Sequence, residues 1–253
     1  MTLFDFCELK TTMRIPRIYL DQEITSGHEA PLDERSAHYL ANVLRMKKGS
    51  ELILFNGSGM EYSATVLTLD RKKGAVLVNS QTDPGSESAL FTHLGIGLSR
   101  GERMDYVVQK STELGVNVIQ PLFTEFCEVK LDSKRAAKKR EHWTQVCISA
   151  CEQSGRVKLP EIREPIPLKR WLESTLDCQK KYLLDQAQAS ELDAAYRPES
   201  VALLIGPEGG LSENEKALAS GQGFTGLKLG SRTLRTETAP VAALSLFQHL
   251  WGN

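Results

Sequence analysis

The chain has 253 residues, of which 41% are hydrophobic and 25% are charged, and its net charge at pH 7 is −1. This composition is typical of a globular protein with one large domain or two ordinary ones, and it excludes a disordered chain. The near-zero net charge excludes the overall basicity of many nucleic-acid-binding proteins, so any such surface must be local. No apolar run has the length needed to span a bilayer, which argues against a membrane protein.

The cysteines and histidines indicate the compartment and argue against a metal site. The five cysteines form no C-x-x-C pair and are odd in number, which predicts free thiols in a reducing cytoplasm. The five histidines form no ligand cluster and H-E-x-x-H is absent, so we predict no metal. Residues 1–12 lack the basic start of a secretory signal. We interpret them as a disordered N-terminal extension, with a translation start at Met13 as the alternative.

Residues 14–83 alternate short strand-like runs with turns. Strands are predicted at 18–20, Glu51–Phe55, Glu61–Leu69 and 75–78, with the sequence NGSG as the hairpin turn between the second and the third. One helix interrupts them: Asp33 caps it, Gly49 ends it, and its predicted apolar face consists of Tyr39, Leu40, Val43 and Leu44. Short strands at this spacing indicate a small β-barrel.

Several basic residues of this first half are candidates for contacts with nucleic-acid phosphates. They are Arg14, Arg17, Arg45, Lys47 and Lys48. The acidic residues Asp21, Glu23, Glu29, Asp33 and Glu34 nearly balance them. An ordinary solvated surface is therefore a serious alternative.

The periodicity of the chain changes after residues 82–88, a stretch rich in Pro, Gly and Ser that we interpret as a linker. A strand at 94–98, a helix at 102–114 and a strand at 116–122 follow, and this βαβ rhythm predicts a parallel sheet. The most basic run lies at 130–140, with six lysines and arginines against Asp132. It is either the solvated face of a helix or a surface that contacts an RNA backbone.

Two glycine-marked loops follow two short strands near the C-terminus. The buried strand 201–205 ends in GPEGG, after which Ser212 and Glu215 have the spacing of a capping box that starts a helix. The strand 227–229 ends at Gly230, and a loop leads to a last helix that begins near Thr238. Ligands bind at the carboxyl ends of strands in open α/β sheets, and backbone N–H groups at glycines and helix N-termini bind polar groups.

A simple turn role for these glycines is the alternative to a ligand site. Two adjacent loops with charged residues favour the site. The loops are not a nucleotide-binding fingerprint, because neither G-x-G-x-x-G nor G-x-x-x-x-G-K-[ST] occurs.

The two loops, IGPEGGLSENE and LGSRTLRTETA, closely resemble those of the RsmE family of ribosomal RNA methyltransferases in the SPOUT class. Further matches are MRIPRIYL from Met13, AHYLANVLRMKKG, RMDYVVQKSTELGV and the cluster at 152–156. The resemblance implies a PUA-like RNA-binding β-barrel at 13–83 and an α/β parallel-sheet SPOUT domain with a deep trefoil knot at 84–253. It also implies S-adenosylmethionine as cofactor, N3 of a uridine in small-subunit (16S) ribosomal RNA as methyl acceptor, and a homodimer.

With this resemblance, residues of both loops are expected to bind the cofactor. They are Leu204, Gly206, Pro207, Glu208, Gly209, Gly210, Leu229, Gly230, Leu234, Arg235, Thr238 and Ala239. The RNA-binding candidates beyond the first half are Arg103, Lys110, Lys134, Lys138 and Arg156. Arg235 and Glu237 are the catalytic candidates: a base or a cation would assist a uridine N3 that still carries its proton. Glu237 could instead pair with Arg235 or bind the cofactor.

Two other functions remain alternatives at this stage. One is a related knotted methyltransferase that acts on tRNA or another ribosomal RNA position, and the other is a non-catalytic RNA-binding assembly factor. The last helix is apolar around much of its circumference, which deep burial or a subunit interface would explain.

Overall fold

The computed structural model describes residues 15–173, 177–185, 192 and 195–252. They form two compact units: the first ends at Pro84, and the second begins at Gly85 and takes in the turn Gly57–Gly59. This division falls inside the stretch 82–88. Arg14 and the expected extension at 1–12 lie outside the described residues.

The first unit contains a five-stranded sheet. Its strands are β1 (Arg17–Tyr19), β2 (Glu29–Leu32), β3 (Glu51–Phe55), β4 (Glu61–Leu69) and β5 (Gly74–Thr82), in the order β1-β3-β4-β5-β2. Only the β1–β3 pair is parallel within the described sheet. The four predicted strands are confirmed. Strand β2 was not predicted. It contains Pro31, which an edge strand tolerates because its N–H side can face solvent.

The helix of the first unit differs from its prediction. Asp33 does cap α1 (Glu34–His38), its carboxylate accepting a hydrogen bond from the Ser36 N–H at 2.6 Å. A π-helical turn, Tyr39–Val43, follows directly. Because a π turn holds an extra residue, it shifts the helical phase. The predicted apolar face is therefore wrong: Leu40 is buried, but Val43 is 60% exposed, and Tyr39 and Leu44 are also exposed.

The second unit is built on a parallel sheet. Its strands are β6 (Phe91–Gly97), β7 (Val118–Phe123), β8 (Glu161–Ile162), β9 (Ile166–Pro167), β10 (Lys180–Leu184), β11 (Ser200–Ile205) and β12 (Thr225–Leu227). The order is β12-β10-β11-β6-β7-β8, with β9 also paired to β7, and the pairs are parallel. The helices are α2 (Glu102–Glu113), α3 (Ser133–Ser154), α4 (Leu168–Glu173), α5 (Glu213–Gly221) and α6 (Thr238–Trp251).

Helices cover both faces of this sheet, as an all-parallel sheet requires. On one face Leu203 and Ile205 pack into a core that includes Phe247 of α6. On the other face Leu204 packs into a core that includes Trp171 of α4. The parallel arrangement brings the carboxyl ends of β6, β7, β10, β11 and β12 to one edge. The predicted α/β parallel-sheet fold with a β-rich domain before it is thus confirmed, whereas the threading of the knot stays a prediction.

The last helix, α6, is buried along one side only. Ala243, Phe247 and Trp251 are buried in the core, while Val241, Leu246 and Leu250 remain partly exposed. Burial in the core therefore explains only part of its apolar circumference.

None of the helices in the described part of the chain is both long and apolar enough to cross a membrane. Within the same residues, no cluster of three or more His, Cys, Asp or Glu is placed to hold a metal ion.

Candidate functional site

A cleft of about 640 Å³ opens at the carboxyl ends of β10, β11 and β12, and we call it the first cleft. The two glycine-marked loops meet there. Of the residues predicted to bind a cofactor, those that line it are Gly206, Pro207, Glu208, Gly209, Gly210, Leu229, Leu234, Arg235 and Ala239. Leu204 is instead buried in the core, and Gly230 and Thr238 are not part of the lining.

The first loop requires glycine because its backbone is tightly packed. A Cβ on Gly97, at the end of β6, would lie 2.4 Å from the backbone nitrogen of Pro207. A Cβ on Gly206 would lie 2.8 Å from the carbonyl carbon of Gly210. The Gly210 N–H donates to the Pro207 carbonyl at 2.9 Å, with Gly210 at a φ of +74°. The loop is thus a tight turn whose backbone, with little side-chain cover, faces the cleft.

Glu208 is fixed at the rim of the first cleft by groups from the α2 region. Its carboxylate accepts a hydrogen bond from the Arg103 guanidinium at 2.7 Å and a longer one from the Arg100 N–H at 3.4 Å. Burial alone would raise the pKa of Glu208, but hydrogen bonds from its own N–H, Arg103 and Arg100 together hold that pKa below its ordinary value. Glu208 is therefore an anion at neutral pH.

The second loop brings Arg235 and Glu237 into the lining of the first cleft. The Thr238 and Ala239 N–H groups donate to the Arg235 carbonyl at 2.9 and 3.0 Å, which closes the turn into α6. The Glu237 side chain is 18% exposed, whereas the Arg235 side chain is 79% exposed, and their charged groups are 3.9 Å apart. An ion pair this long, with one partner in water, contributes little to stability.

Asp185 and Lys216 also line the first cleft and were not predicted. Their charged groups are 3.4 Å apart, with side chains 13% and 29% exposed. A hydrogen bond to Glu213 raises the pKa of Lys216, and the charge of Asp185 adds to this effect. Asp185 directly follows β10, so its place after a strand of a parallel sheet was the signal that could have found it.

A second cleft, of about 940 Å³, adjoins the first at the carboxyl ends of β6 and β7. The two clefts share Arg103, Glu208 and Gly209. The other lining residues are Arg100, Gly101, Glu102, Glu125, Phe126, Cys127 and Glu128. A group bound in the second cleft would therefore lie next to a ligand of the first.

Some of the predicted RNA-binding side chains are exposed, and others form ion pairs with glutamates. Arg45 and Lys47 are exposed in the first unit, and Lys134 and Lys138 are exposed on α3. Lys110 pairs with Glu113 one turn away on α2 at 2.8 Å. Arg103, as described above, is bound to Glu208.

The structure disfavours two of these predictions, because the side chains are buried and paired. Arg17 pairs with Glu61 and is 9% exposed. Arg156 is 5% exposed and pairs with Glu87 at 2.8 Å. Its guanidinium also donates to the carbonyls of Thr112 and Val116. Neither arginine can reach an RNA phosphate without giving up these partners.

Two family models match the chain. The family described as "RNA methyltransferase domain" matches residues 86–248. The family described as "RNA methyltransferase PUA domain" matches residues 32–78. The first match contains both loops of the first cleft, and the second lies within the β-rich unit.

Full-length relatives and solved structures agree with these matches. The ribosomal RNA small subunit methyltransferase E of Buchnera aphidicola subsp. Schizaphis graminum is 36% identical, over 95% of this chain and 98% of its own. That of Bacillus subtilis is 32% identical over 90% and 93%. A Legionella pneumophila methyltransferase structure with bound SAM has a TM-score of 0.91 at 41% identity, covering 95% and 100%. The ribosomal RNA small subunit methyltransferase E of Neisseria gonorrhoeae, bound to S-adenosyl methionine, has a TM-score of 0.88 at 36% identity, covering 94% and 98%.

Proposed function

The chain belongs to the RsmE family of ribosomal RNA small subunit methyltransferases, and from this premise we propose that it methylates N3 of a uridine in small-subunit (16S) ribosomal RNA with S-adenosylmethionine. The observation that carries the proposal is the convergence of the two glycine-marked loops on one cleft at the carboxyl edge of the parallel sheet. We place the reaction in the cytoplasm and assign the active form as a homodimer, to which the partly exposed side of α6 is suited.

The first cleft fits S-adenosylmethionine in size and chemistry. Its volume of about 640 Å³ lies in the range of small-molecule sites. Backbone with no side chains at Gly209 and Gly210 leaves room for close approach of a polar ligand. The carboxylates of Asp185 and Glu208 suit a ligand with hydroxyl, ammonium and sulfonium groups. When bound, this cofactor supplies a methyl group on a positively charged sulfur.

The remaining chemistry belongs to Arg235 and Glu237. Uridine N3 is a weak nucleophile while it carries its proton, so a carboxylate that accepts this proton as the methyl group arrives would speed transfer. We assign this role to Glu237, since its side chain is mostly buried in the cleft and its ion pair with Arg235 is long. Arg235, which is largely exposed, would stabilise the negative charge that develops on the uracil ring.

We assign RNA binding to exposed basic side chains on both units. They are Arg45 and Lys47 in the PUA-like unit, and Lys134 and Lys138 in the N-terminal half of α3. Such groups neutralise phosphates and release counterions, which makes affinity depend on salt. The active-site loops would then act on one nucleotide of a substrate held elsewhere.

The proposed function is tested by mass spectrometry of ribosomal RNA nucleosides. We expect 16S RNA from cells that lack the protein to gain 3-methyluridine when it is incubated with the purified chain, S-adenosylmethionine and a chelator. Since no metal role is proposed, the chelator should change nothing. Methylation of tRNA alone, or the absence of any methylated uridine, would contradict the proposal.

Replacing Gly209 by valine should reduce the affinity for S-adenosylmethionine by about tenfold or more. A Cβ at this position would lie 2.8 Å from the Cβ of Phe126, and displacement of packed groups by overpacking costs about 1–3 kcal/mol. Calorimetric titration measures the affinity. The control is Gly221→Val, because a Cβ on Gly221 meets no atom within 4 Å. If a folded Gly209→Val protein binds S-adenosylmethionine as tightly as the wild type, the loop is a simple turn and not part of the cofactor site.

Charge reversal of Lys134 and Lys138 should weaken RNA binding and flatten its dependence on salt. Loss of two phosphate contacts should reduce the slope of log K against log salt concentration by about 1–2. Lys139 is left unchanged because it lines a small apolar cleft beside Trp143. The matched control reverses Lys169 and Arg170, which are exposed on α4. An unchanged slope would make the 130–140 run an ordinary solvated surface.

A further inference from the structure

Phe126 is an exposed aromatic side chain in the wall of the second cleft. It lies just after β7 and is 46% exposed, although most large apolar side chains of this unit are buried. Its Cβ is the closest atom to the position that a side chain on Gly209 would take. Phe126 therefore lies directly against the glycine loop of the first cleft and also lines the second cleft.

The backbone that carries this ring is held from several sides. The Cys127 N–H donates to the Thr124 carbonyl at 3.1 Å, which closes a turn around Phe126. The Glu125 N–H donates to the buried carboxylate of Glu215 at 2.8 Å. Glu215 is itself the capping-box residue of α5. A ring exposed on a fixed turn is preorganised for binding, because little conformational entropy is lost when a ligand stacks on it.

The charges of the second cleft select the kind of group that can enter. Its lining holds two arginines and four glutamates. Arg100 pairs with Glu128 at 3.0 Å, and Arg103 pairs with Glu208 at 2.7 Å. An excess of carboxylates disfavours phosphate, so the cleft is unsuited to the RNA backbone. A neutral, flat base meets no such penalty and gains by stacking on an aromatic ring.

We propose that the second cleft receives the target uracil, turned out of the RNA, with its ring stacked on Phe126. The assignment rests on the proposed function, because a methyl acceptor must lie within about 3–3.5 Å of the donor carbon. The second cleft shares Arg103, Glu208 and Gly209 with the first, so the N3 edge of a base stacked on Phe126 can face the first cleft, where Arg235 and Glu237 lie. Enzymes that modify a base commonly turn it out of its stack into such a pocket.

The test compares Phe126→Ala, Phe126→Leu and Phe126→Trp in methylation of 16S RNA from cells that lack the protein. Alanine retains the Cβ that lies against Gly209, so the affinity for S-adenosylmethionine, measured by calorimetry, should stay unchanged. The RNA concentration for half-maximal single-turnover rate should rise by roughly 10- to 100-fold in the alanine variant. The Phe126→Trp variant should keep the wild-type RNA concentration for half-maximal rate. The Phe126→Leu variant should not, because leucine is apolar but has no π face.

The possible outcomes distinguish failure of the Phe126 assignment from failure of the proposed function. A wild-type protein that methylates uridine, together with alanine and leucine variants that match it, overturns the role of Phe126 alone. Rescue by leucine as complete as by tryptophan also overturns it, because apolar packing would then suffice. A wild-type protein that methylates no uridine overturns the proposed function and this assignment with it.

Discussion

Glu237→Gln should lower the single-turnover methylation rate at saturating cofactor by about 10²–10⁴-fold, the usual effect of losing a general base. Glutamine keeps the shape of the side chain but cannot accept the N3 proton. Loss of the ion pair to Arg235 should cost little stability, since the charged groups are 3.9 Å apart and Arg235 is 79% exposed. The melting temperature should therefore barely change.

A matched control for this substitution is Glu173→Gln. Glu173 forms an equally long ion pair, 4.0 Å from Lys169, on the exposed surface of α4. It should leave rate, cofactor affinity and melting temperature unchanged. If Glu237→Gln reduces S-adenosylmethionine affinity first, the residue is a cofactor ligand and not the base. If it lowers only the melting temperature, the residue braces the loop.

Arg156→Met should destabilise the second unit by about 3–5 kcal/mol, the cost of leaving one partner of a buried ion pair unpaired. The substitution removes the cation from Glu87, which is 17% exposed, and removes donors from the carbonyls of Thr112 and Val116. Denaturant unfolding measures the effect. Arg163→Met is the control: its pair with Glu161 is at 3.0 Å, but both side chains are exposed. Equal effects of the two substitutions would contradict the structural role of Arg156.

The same ion pair predicts a dependence of stability on pH. Burial alone would raise the pKa of Glu87, but Arg156 and the N–H groups of Lys158 and Val157 lower it below its ordinary value. A lowered folded-state pKa contributes stability that is present above the unfolded-state pKa and is lost as pH falls through the folded-state value. Wild-type protein should thus lose stability in acid, and Arg156→Met should lose less of it over that range.

Much of the architecture could be predicted because it depends on local patterns. The buried run 201–205, the capping box of Ser212 and Glu215, and the βαβ rhythm after residue 84 are all confirmed. The two motifs were specific enough to identify the family. The helix after Asp33 could not be predicted in full, because its π turn depends on how the chain packs, and composition does not reveal that.

The candidate site was predicted less completely, for a physical reason. Arg156 is an expected RNA contact because it belongs to the cluster 152–156 that resembles the family, yet packing buries it against Glu87. The sequence also offers no reason to choose Phe126, because it does not distinguish an exposed phenylalanine from one in the core. Whether a side chain is buried, and which ion pair it forms, depends on contacts between residues far apart in the chain.

By itself, the sequence determined the family, the parallel-sheet class, and the two loops that form the first cleft. The family follows from the resemblance of the loop motifs, whereas the sheet class and the loops follow from glycine spacing, capping residues and apolar periodicity, which act over a few neighbouring residues. Only the tertiary structure decided which charges meet. It joined Arg103 to Glu208, brought Asp185 to Lys216, and placed Phe126 against Gly209. Parallel strands distant in sequence end at one edge of the sheet, so the residues that share the site are set by strand order.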